Sequence, residues 1–287
     1  MTTLEYDRHC AEIPVQLGLL RETLAGADLS ATVPTCPEWT LGYLARHVGG
    51  AVRWAARLVA TRATEDIPEE DVPGIRGPEG DDPAALDAWL AETAEIVAAA
   101  WDGVDADTAV WSWSDQHHAG FWARRMTHEV AVHRADAAIA AGVPYVVAAD
   151  VAADAIDEWL EIVQFVQRTE VGDSAGELRA GVVGELFGES FGGECSIHLH
   201  ATDVVPSLDS SLDSSLHASM DAEWLIEFGA EGFAWRRGHE KATVAVRGPL
   251  TEVLLAFYRR RGLDGGGVEV LGERGLMEFW LERASFG

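Results

Sequence analysis

The stretch best equipped for chemistry is Phe121-Trp122-Ala123-Arg124-Arg125-Met126-Thr127-His128-Glu129-Val130-Ala131-Val132-His133-Arg134-Ala135-Asp136. Glu129 and His133 are four residues apart in a helix-spaced segment, so their side chains rise from one face, one turn apart. Met126 and Val132 turn that face at least partly inward. A carboxylate and an imidazole carried inward together need a partner, because an uncompensated buried charge is costly. A divalent cation is the simplest one. His47 is the natural third donor; it lies in the apolar run Leu44-Ala45-Arg46-His47-Val48-Gly49-Gly50, whose two glycines permit close approach of another helix or a ligand. Two nitrogens and one carboxylate oxygen leave a coordination position open, the pattern of a catalytic rather than a closed structural zinc.

Spacing alone leaves this open. A glutamate and a histidine at this interval also read as a surface pair, and His47 as a hydrogen-bonded core histidine. The zincin pattern H-E-x-x-H does not fit, because His128 and His133 are five apart and point in different directions on a helix. His117 and His118 read as polar loop residues. His198 and His200 share one face of a strand and could form a second metal pair, although cross-strand packing explains them as well.

The elements that must position these groups follow from hydrophobic periodicity. Helices are expected at 4–25, from about 41 to 60 with Thr40 as N-cap, and at 83–102, 119–141 and 148–168. Gly142-Val143-Pro144 stops the fourth. Residues 62–82 are acidic and rich in Pro and Gly, a solvated loop; residues 103–118 form an extended aromatic connection. The second half changes period: strands at 196–201, 224–228, 233–236, 242–247 and 268–271, with helices at 249–260 and 273–284. The Ser/Asp-rich segment 203–221 reads as a loop. The expected architecture is a two-domain α+β chain, a helix bundle over residues 1–170 and an α+β domain over 171–287.

Composition narrows the function classes. The chain has 287 residues, with 48 acids against 21 Lys and Arg and a formal net charge of −27. Such a chain repels nucleic-acid phosphates and anionic membrane surfaces. Three scattered cysteines, Cys10, Cys36 and Cys195, suggest neither a disulfide framework nor a cysteine metal site. The start lacks the basic and apolar regions of a secretory signal, and no run is apolar enough to span a bilayer, so a cytoplasmic location is expected.

Cys36-Pro37-Glu38-Trp39-Thr40, the run Leu44 to Gly50 and the run Arg124 to Asp136 together resemble the mycothiol-dependent maleylpyruvate isomerase family. In the second half, Ser196-Ile197-His198-Leu199-His200-Ala201-Thr202-Asp203, Glu223-Trp224 and Val244-Ala245-Val246-Arg247-Gly248-Pro249 carry the resemblance. It implies a DinB-like four-helix metal-binding domain followed by a sterol-carrier-like α+β domain. It also implies a divalent metal, usually zinc, on His47, Glu129 and His133, with mycothiol as the thiol cofactor. Metal-bound thiolate would add to the cis double bond of a maleylpyruvate-like acid, and rotation followed by elimination would give the trans isomer; thiol transfer to an electrophile is the other outcome. A non-catalytic metal- or ligand-binding regulatory protein of the same fold is the alternative.

An anionic substrate needs local cations. Arg46, Arg134, Arg236, Arg237 and Arg247 are candidates, against surface salt bridging as the plainer role. Arg247 and Arg237 are the preferred substrate contacts, on the expectation that the second domain covers the open side of the metal. Cys36 is the one protein thiol whose participation needs excluding.

Overall fold

A computed structural model describes residues 4–169, 178, 180–187, 195–204, 222–230, 232–265 and 267–284. Most of the Ser/Asp-rich segment lies outside these residues. The chain divides into two compact units, one from Thr3 to Val146 and one from Val147 onward.

In the first unit, α1 (Tyr6–Leu24), α2 (Leu41–Thr61), α3 (Pro83–Trp101) and α4 (Ala119–Ala141) pack together, α1 and α2 each against both α3 and α4. Their apolar stripes meet in one core that includes Leu17 and Leu20, Leu44, Val48 and Val52, Leu86 and Leu90, and Trp122 and Val130. The Thr40 hydroxyl accepts from the Tyr43 amide at 3.2 Å and so starts α2, as its position suggests. Gly142, in the left-handed region at φ 67°, ends α4. The α4 helix is buried around most of its circumference, which places its polar residues among protein atoms and obliges them to find partners.

Two local features were not anticipated. Thr32–Val33 (β1) and Cys36–Thr40 (β2) form a short antiparallel hairpin directly before α2. The 62–82 segment is packed as well as solvated: the Trp54 indole donates to the Ile67 carbonyl, and the Trp89 indole to that of Gly74, both at 2.8 Å. The two glycines after His47 account for this. A Cβ at Gly49 would overlap the Trp89 ring of α3, and one at Gly50 would lie 2.8 Å from the Ile75 carbonyl oxygen.

The second unit opens with α5 (Ala149–Thr169), which the sequence grouped with the bundle. Its contacts are with α7 (Leu250–Phe257) and β5 (Gly232–Arg237), and Asp157 accepts from the Trp224 indole at 2.7 Å. It thus packs with the sheet domain. A short helix, α6 (Ala180–Phe187), follows. Strands β3 (Ser196–Ala201), β4 (Glu223–Gly229), β5, β6 (Val244–Gly248) and β7 (Glu269–Gly272) form one sheet in the order β5-β4-β3-β6-β7. All neighbours are antiparallel except β3 and β6, which run parallel. The last helix is α8 (Arg274–Arg283), whose Trp280 is fully buried. The strand positions read from alternation agree with the sheet to within two residues at each end. No helix among the described residues is long and apolar enough to cross a membrane.

Candidate metal centre

His47 comes from α2 and Glu129 and His133 from α4, and the packing of these helices brings the three together. Nε2 of His47 lies 3.2 Å from Glu129 Oε1, and Nε2 of His133 lies 3.3 Å from the same oxygen. One donor atom from each residue falls within 4.8 Å of the other two. The imidazole planes cross at 82° with centroids 5.0 Å apart, so the two nitrogens approach the oxygen from different directions.

Each donor is held from behind. Nδ1 of His133 is 2.8 Å from Oδ2 of Asp136, a fully buried carboxylate, and Oδ1 of Asp136 accepts from the Thr35 hydroxyl at 2.6 Å. A carboxylate behind a histidine fixes the tautomer with Nε2 facing the centre and raises its basicity. Arg125, one turn before Glu129, donates to its Oε2 at 2.7 Å, which leaves Oε1 for the centre. Trp39 of the hairpin lies 4.6 Å, centroid to centroid, from the His47 ring and 5.8 Å from that of His133. Side-chain exposure falls from 34 % at His47 to 18 % at Glu129 and 12 % at His133, so solvent reaches the centre from the His47 side.

Electrostatics follow this geometry. Burial by itself pushes the Glu129 carboxyl up, but the His133 charge and hydrogen bond, the His47 hydrogen bond and the Arg125 charge hold it well below the usual carboxylate range. Burial pulls His133 down, yet Glu129 and Asp136 outweigh it and raise the imidazole to about 9. A metal fits this donor set. With both Nε2 atoms aimed at one carboxylate oxygen and Nδ1 of His133 donating to Asp136, the group presents two nitrogens and an anionic oxygen to a common point. That is a three-ligand arrangement for a borderline divalent ion.

The remaining sequence candidates have partners within their own units. Arg134 is buried, donates to Gln16 and to the Val146 carbonyl at 2.7 Å each, and stacks on Tyr145. Arg46 binds the carbonyls of Pro78 and Gly80 and the Asp81 carboxylate. Arg236 pairs with Glu240 and Glu227 at the surface. Arg237 donates to Asp157 at 2.7 Å and lies over the Trp224 ring. Arg247 is half exposed at the end of β6, 3.8 Å from Glu269. His118 caps α4 by accepting from the Phe121 amide at 3.1 Å, and His117 accepts from the Ser112 amide at 3.3 Å, the loop roles expected of them. Cys36 sits in β2, packed at the edge of the first core.

Asp136, Arg125, Thr35 and Trp39 were not singled out from sequence as site residues. Asp136 and Arg125 carried a usable signal: they stand three residues after His133 and four before Glu129, both neighbouring positions on a helix. Thr35 and Trp39 carried none, because they depend on how the hairpin folds.

Comparison with known proteins covers both units. Residues 10–138 match the family model described as mycothiol maleylpyruvate isomerase N-terminal domain, and residues 150–279 match the MDMPI C-terminal domain. A solved structure titled mycothiol-dependent maleylpyruvate isomerase aligns with a TM-score of 0.54 at 17% identity, covering 95% of this chain and 97% of that one. A histidine-to-alanine mutant of the same title aligns with a TM-score of 0.53 at the same identity and coverage. No curated protein matches the sequence.

Proposed function

The chain belongs to the mycothiol maleylpyruvate isomerase family across both of its units, and from that premise we propose that it is a metal-dependent enzyme that uses mycothiol. Isomerisation of a maleylpyruvate-like cis acid is the reaction we place first, because both similar structures carry that name. Transfer of the thiol to an electrophile is the second. The observation that supports a metal is the convergence of His47 Nε2, His133 Nε2 and Glu129 Oε1 with Asp136 behind His133.

In this reading His47, Glu129 and His133 hold one divalent ion, with zinc favoured by the mixed nitrogen and oxygen donors. When bound, the ion supplies a Lewis acid that favours thiolate over thiol at neutral pH. The protein's own residues do the positioning. Asp136 keeps the proton of His133 on Nδ1, Arg125 occupies the far oxygen of Glu129, and Trp39 walls the two imidazoles. Arg247 is the candidate for binding a substrate carboxylate; Arg237 is less available, since Asp157 already holds it.

The test is elemental analysis of the purified protein followed by turnover of maleylpyruvate with and without mycothiol. Loss of one metal equivalent in the His47→Ala variant, together with thiol-dependent formation of the trans acid, is the expected result. Accumulation of a stable thiol adduct would point to transfer. Metal without turnover of any electrophile would favour the non-catalytic alternative.

A further inference from the structure

The second unit contains its own group of metal-competent side chains, none of them among the three candidate ligands of the first. On β3, the strand alternation puts His198 and His200 on one face and the fully buried Ile197 and Leu199 on the other. Glu223 of β4 stands directly opposite His200 in the antiparallel register. His239 follows β5, one residue after Gly238, whose amide donates to the Glu223 carbonyl at 3.0 Å. Three segments distant in sequence therefore deliver four side chains to one place.

Their atoms converge on a single oxygen. Oε2 of Glu223 lies 2.8 Å from His198 Nε2, 3.4 Å from His200 Nδ1 and 2.6 Å from His239 Nδ1. The three imidazole centroids form a nearly equilateral triangle with sides of 5.3, 5.5 and 5.6 Å. All four donor atoms fall within 4.8 Å of one another.

Hydrogen bonding alone does not account for this group. His198 is only 4% exposed, and its Nε2 is fully buried with no aligned hydrogen-bond partner among the described residues, although it lies close to Glu223. A buried nitrogen left in this state carries a desolvation cost that a bound cation removes. Three imidazoles around one carboxylate also make a poor ordinary network, since one oxygen cannot accept well from all of them. A cation placed among them converts the same four atoms into ligands.

We propose that His198, His200, Glu223 and His239 form a second divalent metal site, independent of the centre in the first unit. Three nitrogens and one carboxylate oxygen select a first-row transition ion such as zinc or cobalt over magnesium or calcium, which take oxygen ligands. Four protein ligands satisfy a tetrahedral ion without an open position, so the site is structural. It ties the segment after β5 to the β3–β4 pair. Donors already this close need only small side-chain rotations to reach zinc–nitrogen lengths of about 2.0–2.1 Å.

The test uses the full chain, stripped with a chelator and reloaded with Co²⁺, read by elemental analysis and by visible ligand-field absorption. The expected content falls by one equivalent in Glu223→Gln and again in His239→Ala when each is compared with wild type, with the tetrahedral-type absorption of this site lost. His239 is 70% exposed at its side chain, so its replacement leaves the fold intact, and far-UV circular dichroism checks both variants. Cobalt content and spectrum unchanged in both variants overturn the proposal. The first centre is read separately: His47→Ala removes cobalt from it and leaves the second equivalent in place, so failure of one reading does not imply failure of the other.

Discussion

His47, Glu129 and His133 hang from two packed helices, and each donor of α4 has another side chain behind it; His198, His200, Glu223 and His239 come from strands and a strand end, and crowd around one carboxylate oxygen. In the first unit Asp136 and Thr35 brace His133, and Arg125 braces Glu129. Three ligands with such support leave room for an exchangeable fourth. In the second unit the four donors are themselves the whole group. On the proposed readings, the same residue types make an open, braced centre in one place and a closed one in the other. The difference lies in what stands behind the ligands and in how many converge.

The largest expected effect comes from removing a ligand of the braced centre. Glu129→Gln keeps the shape but removes the anionic donor, so turnover should fall by about 100- to 1,000-fold or more, with one metal equivalent lost. The matching change Glu223→Gln should cost one equivalent of metal while leaving turnover within a few-fold of wild type. Equal loss of activity in both variants would break the distinction between a catalytic and a structural site.

The bracing should also be visible in the metal-free protein through pH. The raised His133 value, about 9 against an ordinary 6.5, means that the folded state binds this proton more tightly than the unfolded chain. Its contribution is fully present below about pH 6.5 and is lost as pH rises through 9. The ceiling is roughly 3 kcal/mol for a shift of this size. Glu129 works in the opposite sense: its lowered value stabilises the fold above the ordinary carboxylate range, and that part is lost as pH falls through the depressed value. Chelator-treated protein should therefore lose urea resistance between pH 6.5 and 9, and His133→Gln should flatten that slope. A slope unaffected by the substitution would show that the loss arises elsewhere.

Asp136→Asn probes the support itself. The amide retains the volume of the carboxylate but loses its charge, and metal affinity at the first centre should weaken by about 10- to 100-fold. Competition with a chelator of known affinity measures it. The second site should keep its affinity, because the carboxylate that its histidines face is Glu223.

How far these arrangements were legible from sequence follows from the kind of information each needs. The Glu129–His133 pair and the Thr40 and Gly142 helix ends are local, set by spacing and by backbone chemistry within one turn. The strand faces of His198 and His200 are local too. The partners of those strands are not: that Glu223 lies opposite His200, and that His239 comes to the same point, depends on register and on a turn after β5. Likewise α5 carries an apolar face, with Val151, Ile156, Leu160 and Val163, which would suit either a bundle or a sheet. Periodicity says that a face is buried, not against what. The hairpin at 32–40 was hidden because Pro37 and the short strands look like a simple break.

A smaller effect is expected at Arg247. It is half exposed and only loosely paired with Glu269, so Arg247→Ala should change stability by no more than about 0.5 kcal/mol. If it binds a substrate carboxylate, KM for an anionic substrate should rise by roughly 10- to 150-fold, since losing a charge-assisted hydrogen bond costs about 1.5–3 kcal/mol. Arg237→Ala should do the reverse, lowering stability because the buried Asp157 loses its cation. Measuring KM and urea midpoints for both variants separates the two roles.

The smallest effect should come from the cysteines. An open metal centre that recruits an external thiol has no need of a protein nucleophile, whereas a protein nucleophile would make the bracing of the ligands incidental. Burial raises the thiols of Cys10 and Cys195 above their ordinary value, so both stay protonated and weakly reactive near neutral pH. Cys36 is the sharper case, because it lies in the hairpin that also carries Trp39 against the imidazoles. Its replacement by serine should leave thiol-dependent turnover within about twofold, a change of roughly 0.4 kcal/mol in the barrier, and the triple serine variant should behave alike. A folded Cys36→Ser variant that retains its metal but loses turnover would transfer the nucleophile from the bound thiol to the protein, and with it the function assigned to the open side of the first centre.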